Sequence, residues 1–399
     1  MEIPKRYQNI IELGKALHVY GIPSYKIQSY LTDIAKKKSI EGSFMDLPTW
    51  VNYVFYQGKE TYSYIECIPP GNLNLGALSR ISELTNDIID DKTDTFDVKS
   101  KLAEIHKKTK RVNHFVLALS YALSSGAFSL MIGTNWISLL FAFLLGAFVY
   151  GLVYLSTKSG YIETTLEALL SFLVTLFSCL LYLIFPEFNV GLTVISSIIV
   201  FIPGLGITTA LEEITSKSLV SGGAKLFDAI ISLFKQFFGA VLGFTIMAPF
   251  VNFQELSHDS NLPYWLMYLA IPLFALSLLP IFQVRKKDMF LGAVTGVLVF
   301  FLTLAFAKFG LLLSTFIGAV AAVAISNMFS KLKKSPQLVF LTQGIIMLVP
   351  GSKSFMGLSN SFLHTSILNT SNVFEQVALI LMGIIGGLLF AGTFKNPKT

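Results

Sequence analysis

The residues best suited to chemistry lie in Ile202 to Asp228, IPGLGITTALEEITSKSLVSGGAKLFD, where an apolar run gives way to a Pro-Gly pair, hydroxyls and acids. Proline removes a backbone donor and glycine tolerates unusual torsions. Pro203 and Gly204 are therefore expected to end one helix and leave the first amides of the next without partners. Free amides at a positive helix end suit a carboxylate. Gly206, Thr208 and Thr209 join the expected substrate-binding set, the threonines with hydroxyls that donate and accept. An amino group on the same ligand needs an acidic or carbonyl partner. Asp228, Glu212 or Glu375 would supply it, or would carry a coupling proton with pKa values raised through burial.

The pattern recurs later in the chain. Pro350 and Gly351, with Ser352 and Ser354, follow another apolar run, and Pro203 to Asp228 spans the same distance as Pro350 to Glu375 (228 − 203 = 375 − 350 = 25). At that fixed offset Ile198 and Ile199 align with Ile345 and Ile346, Leu211 with Leu358, Phe227 with Phe374, and Gly239 with Gly386. Breaks of this kind survive in lipid only where they line a cavity, and paired broken helices in two halves of a hydrophobic chain point to a transporter's binding site. The matched places of Asp228 and Glu375 make them candidate proton carriers. Glu163 and Glu167 stand one turn apart, so they share a helix face, either for proton transfer or as charges favourable near a helix N-terminus.

Other chemistry finds less support. His18, Asp46, Ser63, Glu66, Cys67, Arg80 and His106 form no nucleophile elbow, metal-ligand spacing or phosphate loop, so no catalytic residue, metal or cofactor is expected. The segment Asn72 to Gly76 reads as a turn and helix cap. Gly146 and Gly151, Gly239 and Gly243, and Gly383, Gly386 and Gly387 read as close helix packing. His258 and His364 fall in expected external loops.

These residues must be positioned by membrane helices. The chain has 399 residues, 53% hydrophobic and only 14% charged, with a mean hydropathy of +0.65. A soluble protein carries about 25% charged residues. The net charge of +6 does not point to nucleic acid, because the basic residues beyond the first part alternate between loops. Cys67 and Cys179 suggest no disulfide framework, and the first fifteen residues lack a secretory signal.

Ten spans are expected, near 115–133, 136–155, 166–185, 190–202, 226–249, 264–282, 289–307, 309–328, 338–349 and 376–394. The fourth and ninth are short and end at the Pro-Gly pairs. Five spans per copy force the second copy to enter from the opposite side, giving a 5+5 inverted repeat. Lys158, Lys217, Lys225, Arg285 to Lys287, Lys331, Lys333, Lys334, Lys395 and Lys398 fall on one side and Lys308 and Lys353 on the other. The N- and C-termini are therefore expected in the cytoplasm.

Residues 1–110 read as a small cytoplasmic α/β domain, with two amphipathic helices, three strands beginning with Ser39 to Leu47, and two further helices. Residues 111–250 and 251–399 read as the two five-helix units. The fold class is an α-helical polytopic membrane protein with two Pro-Gly-broken helices and this added domain.

FIPGLGITTALEEITSKSLVSGGAKLFDA resembles the threonine/serine exporter family, with its Pro-Gly, following Thr-x-Ala, acidic pair and later Ser-Gly. GKALHVYGIPSYKIQSYLTDIA and IPPGNLNLGALSRISELTNDI are similar to that family's cytoplasmic portion, and LVPGS at 348–352 to its smaller second-half partner. The resemblance covers nearly the whole chain, as a fused form of modules that also occur separately. It implies proton-driven export of threonine and serine across a bacterial inner membrane. Gly206 and Ile207 between Gly204 and Thr208, and Lys353, depart from the pattern. Expected partners are a small zwitterionic or carboxylate substrate, protons, the lipid bilayer and, in a homo-oligomer, further copies of the chain. The alternatives are a dicarboxylate exporter of the succinate kind and a membrane-anchored cytoplasmic enzyme; an anchor, however, needs only one or two spans. No Walker A sequence supports ATP drive, and no filter-like ring supports a channel.

Overall fold

A computed structural model describes residues 4–71, 73–90, 98–109, 113–251, 262–263, 265–349 and 373–393. The N-terminal part runs α1 (Lys5–Val19), α2 (Ser24–Lys37), β1 (Glu41–Leu47), β2 (Trp50–Gln57), β3 (Glu60–Cys67), α3 (Leu75–Ile89) and α4 (Val98–Thr109). The strands form an antiparallel meander in the order β1-β2-β3. Val51, Tyr53 and Phe55 alternate inward and are fully buried against the helices. The first strand begins at Glu41, two residues later than expected, because Ser39 adopts a left-handed φ of 52° as the chain leaves α2. Helix α1 lies tight on the sheet. The Tyr53 hydroxyl donates to the Ile11 carbonyl at 3.1 Å, and a Cβ on Gly14 would meet Tyr53 Oη at 2.5 Å.

The remainder is helical: α5 (His114–Met131), α6 (Trp136–Ser156), α7 (Gly160–Ile184), α8 (Val190–Ile198), α9 (Gly204–Thr215), α10 (Leu219–Met247), α11 (Leu266–Ile281), α12 (Lys286–Ala305), α13 (Leu311–Lys333), α14 (Gln337–Ile346) and α15 (Val373–Thr393). Among the described residues seven helices are long and apolar enough to cross a membrane, or up to eight if the bent pair Val190–Phe201 and Gly204–Thr215 is one span. This is fewer than the ten expected from sequence. Among the described residues α11 and α14 are apolar but shorter than a span. The fifth expected span also starts earlier, since α10 begins at Leu219 rather than near 226.

Between apolar helices in lipid the association comes from close packing, so small residues mark the seams. On α10, a Cβ at Gly239 would sit 2.1 Å from the Ala168 carbonyl oxygen and one at Gly243 2.9 Å from Thr175 Cβ, both on α7. Gly383 and Gly387 play the same part between α15 and α13, where a Cβ would meet Thr315 Oγ1 at 2.0 Å and Ala319 Cβ at 2.6 Å. Gly146 is likewise pressed against Ser125. Gly151 differs from expectation, because a Cβ there would meet nothing within 4 Å.

The N-terminal domain is clamped to the helical part at two places. At the first, the fully buried Glu213 near the end of α9 accepts from the Ser24 amide at the start of α2 (3.0 Å), from the Ser221 hydroxyl (2.8 Å) and from Lys225. A carboxylate at a helix N-terminus is favoured by both the free amide and the dipole. Ser24 Oγ donates to Asp46 at 2.7 Å, and the other oxygen of Asp46 holds His18 Nδ1 at 2.7 Å. Alongside, the Tyr25 hydroxyl donates to Glu212 at 2.9 Å. Burial, reinforced by Glu212, pushes the Tyr25 hydroxyl far up, so it remains a donor at neutral pH.

At the second place, Arg285 makes a bidentate pair with Glu83 of α3 (2.7 Å to each oxygen) and contacts Asp288 at 3.2 Å, while Lys287 reaches Glu83 at 2.9 Å. Asn74 caps α3 through the Ala77 amide and donates to Gln283 at 2.8 Å.

Three outcomes test this packing. Gly239→Ala is expected to lower stability by about 1–3 kcal/mol through overpacking, while Gly151→Ala leaves it unchanged; thermal unfolding in detergent measures both. Glu213→Gln is expected to speed hydrogen exchange of the Ser24 amide by about tenfold or more, as a charge-assisted bond becomes a neutral one. Burial raises the Glu83 carboxyl, but Arg285 and Lys287 outweigh it and hold it below its ordinary value of 4.5. Docked Glu83 thus binds fewer protons than free Glu83, so its contribution is complete above that value and lost as the pH falls through the lowered one. Exchange protection in α3 should fall on acidification in the parent chain and show a weaker pH dependence in Glu83→Gln.

Candidate functional site

The chain turns at the end of α8. Residues 199–201 tighten into a 3₁₀ turn, Ile202 is extended (φ −63°, ψ 118°), Pro203 takes φ −78° and ψ 38°, and α9 starts at Gly204, bent 47° from the preceding segment. Pro203 offers no side-chain cap. The Gly204 amide folds back to the Ile202 carbonyl at 2.7 Å and the Ile207 amide reaches the Pro203 carbonyl at 3.0 Å. Among the described residues, the amides of Leu205 and Gly206 donate to no backbone carbonyl. Two open donors therefore stand at the positive end of α9, a ready anion site.

Pro203, Gly204, Gly206, Thr208 and Thr209 lie together at the break and in the first two turns of α9. The threonine hydroxyls are less free than expected. Thr208 Oγ1 donates to the Gly204 carbonyl and Thr209 Oγ1 to the Gly206 carbonyl, each at 3.1 Å, so what they offer a ligand is acceptor capacity. Pro350, Gly351, Ser352 and Ser354 lie outside the described residues.

The acids separate clearly. Glu167 is partly buried, accepts from Ser232 Oγ at 2.6 Å and has Lys235 at 3.5 Å. Ser232 in turn accepts from Gln236 Nε2 at 3.2 Å, and the same nitrogen donates to the Phe201 carbonyl at 2.8 Å. A hydrogen-bonded chain thus runs from a carboxylate on α7 through α10 to the carbonyl just before the break. Glu163 is exposed in the first turn of α7, and Glu375 is exposed in the first turn of α15, where each favours its helix dipole. Asp228 lies on the exposed side of α10 beside Phe227, so the burial expected for it is lacking. Glu212 is taken up by Tyr25 of the N-terminal domain.

Gln236 and Ser232 are not among the site residues expected from the sequence. A lone Gln and Ser one turn apart in an apolar helix gave the only signal. Among the described residues no group of three His, Cys, Asp or Glu is placed to hold a metal ion.

Family models match both parts of the chain. The model described as "Putative threonine/serine exporter" covers residues 8–247 and the one described as "Threonine/Serine exporter, ThrE" covers residues 266–394. An uncharacterized protein of Schizosaccharomyces pombe is 25% identical over 94% of this chain and 51% of its own length. Proteins named pheromone-regulated membrane protein 10 are similar too, from Kluyveromyces lactis (25% identical, 88% of this chain, 38% of that protein) and Saccharomyces cerevisiae (22%, 88% and 46%). The chain thus spans about half the length of these relatives or less. No solved structure matches it. With apolar spanning helices and both family models in place along its length, the chain belongs to the threonine/serine exporter family of membrane proteins.

Proposed function

We propose that this protein is a secondary exporter of small amino acids of the threonine/serine kind, driven by protons, and that it binds the substrate carboxylate at the start of α9. The observation that carries this reading is the pair of open amides, Leu205 and Gly206, at a break inside a membrane helix. Irregular backbone at membrane depth is tolerated where it lines a cavity, and a helix N-terminus there suits an anionic group.

The inverted-repeat reading gains support from the helix positions. α8 starts at Val190 and α14 at Gln337, and 337 − 190 = 147, the same interval as between Pro203 and Pro350 (350 − 203 = 147). Packing recurs likewise: α7 lies on α10 as α13 lies on α15, and α6 on α8 as α12 on α14. Ten spans, cytoplasmic termini and a multi-pass place in the cell membrane complete the reading, supported by the alternation of basic loops. A carrier rather than an enzyme is the consequence.

An amino acid fits better than a dicarboxylate. A second carboxylate would need a partner of its own, and on α10 Lys225 and Lys235 are already engaged by Glu213 and Glu167. Glu167 is the favoured coupling acid, since only its carboxylate, among the acids considered, is hydrogen-bonded through to the break.

Counterflow in proteoliposomes with labelled threonine, serine and succinate tests the reading. Threonine or serine is expected to exchange; movement of succinate alone would replace it with the dicarboxylate reading, and movement of none would reject transport. Glu167→Gln is expected to reduce pH-driven net export by tenfold or more, on the order of one lost charge-assisted bond, yet to preserve counterflow. Asp228→Asn should keep both activities, and full pH-driven export by Glu167→Gln would remove that acid from the mechanism.

A further inference from the structure

Gln236 is fully buried, and its amide orientation is fixed by chemistry. Nε2 faces the Phe201 carbonyl at 2.8 Å, an acceptor that only the nitrogen can satisfy. Oε1 on the same carboxamide has no hydrogen-bond partner. Buried polar atoms are almost always paired, so an orphaned carbonyl-type oxygen beside a helix break marks a place for a donor supplied from outside the chain.

The surroundings fit a ligand at this point. α10 packs directly on α9, with Ala229 Cβ 3.6 Å from where a Cβ on Gly206 would stand. Ser171 stands one turn beyond Glu167 on α7 as Gln236 stands one turn beyond Ser232 on α10, and the buried Ser171 hydroxyl also lacks a partner. Leu205 and Gly206 present donors and Gln236 presents an acceptor. A zwitterion carries the matching pair, a carboxylate and an ammonium group.

We propose that Oε1 of Gln236 receives the ammonium group of the transported amino acid while its carboxylate lies on the Leu205 and Gly206 amides. This assignment rests on the exporter reading above. The other acceptors are committed: Glu213 and Glu212 hold the N-terminal domain, Glu167 holds Ser232, and Asp228 and Glu163 face outward. A neutral acceptor suits a carrier, because it binds an ammonium group without the tight charge pairing that slows release. Gln236 is then a substrate-contacting residue, and through Ser232 it ties the occupied site to Glu167.

The test compares threonine with 3-hydroxybutyrate, which is threonine without its amino group, as competitors of labelled-threonine counterflow by the parent and by Gln236→Met and Gln236→Glu. Gln236→Met is expected to weaken threonine by about tenfold to a hundredfold, the range for a bond to a charged group, and to leave 3-hydroxybutyrate unchanged. Gln236→Glu, which keeps the length and an acceptor oxygen, should retain the preference for threonine. Equal weakening of both compounds in Gln236→Met, or unchanged threonine affinity, overturns the assignment. If Gln236→Met does not reach the membrane, Gln236→Glu decides alone, and loss of its preference for threonine overturns the assignment. Failure of the parent to exchange any amino acid would instead strike the exporter reading itself.

Discussion

The structure depends on the requirement that backbone polar groups inside a membrane find partners. A continuous helix meets it without help, whereas the break at Pro203 opens both ends at once. On the carbonyl side the protein closes the gap internally, with Gln236 reaching Phe201 across from α10. On the amide side Leu205 and Gly206 are left open. The asymmetry is chemically informative, because open donors at the positive end of a helix suit an anionic group.

What holds the broken segment in place is unusual for a membrane helix. The far end of α9 is tied to the N-terminal part of the chain, through a buried carboxylate that sits on the first turn of α2. Glu213 is coordinated by the Ser24 amide of α2 and by a hydroxyl and an ammonium group one turn apart on α10. Removing its charge would leave those groups poorly compensated in a buried setting, so the link is directional and specific. α9 therefore has one end at the candidate site and the other in the grip of the N-terminal domain, which gives that domain a physical means of influencing the break. The second clamp, Glu83 with Arg285 and Lys287, uses the same basic loop whose charge signals the orientation of the chain.

Close packing sets the remaining geometry. Gly239 and Gly243 let α7 and α10 approach until backbone meets side chain, and that approach brings Glu167 within reach of Ser232. Small residues thus do more than join helices. They bring polar groups on neighbouring helices near enough to form a chain that reaches the break.

The apolar runs, the Pro-Gly signals, the alternation of β2 and the turn at Gly58 were legible in the sequence because each is a local property of composition or period. Those signals also located the break and the first turns that carry Pro203, Gly204, Gly206, Thr208 and Thr209. What each acid meets was not legible. Asp228 and Glu375 share matched positions, yet both side chains are exposed, whereas Glu213 and Glu167 gain their partners from residues up to 189 positions away. Gln236 gave no more than a polar letter in an apolar helix. By itself the sequence determined the membrane class, the family and the place of the break, since hydropathy and backbone chemistry act locally. Only the tertiary structure decided which polar groups meet there, because burial and hydrogen bonding between distant helices depend on how closely those helices pack.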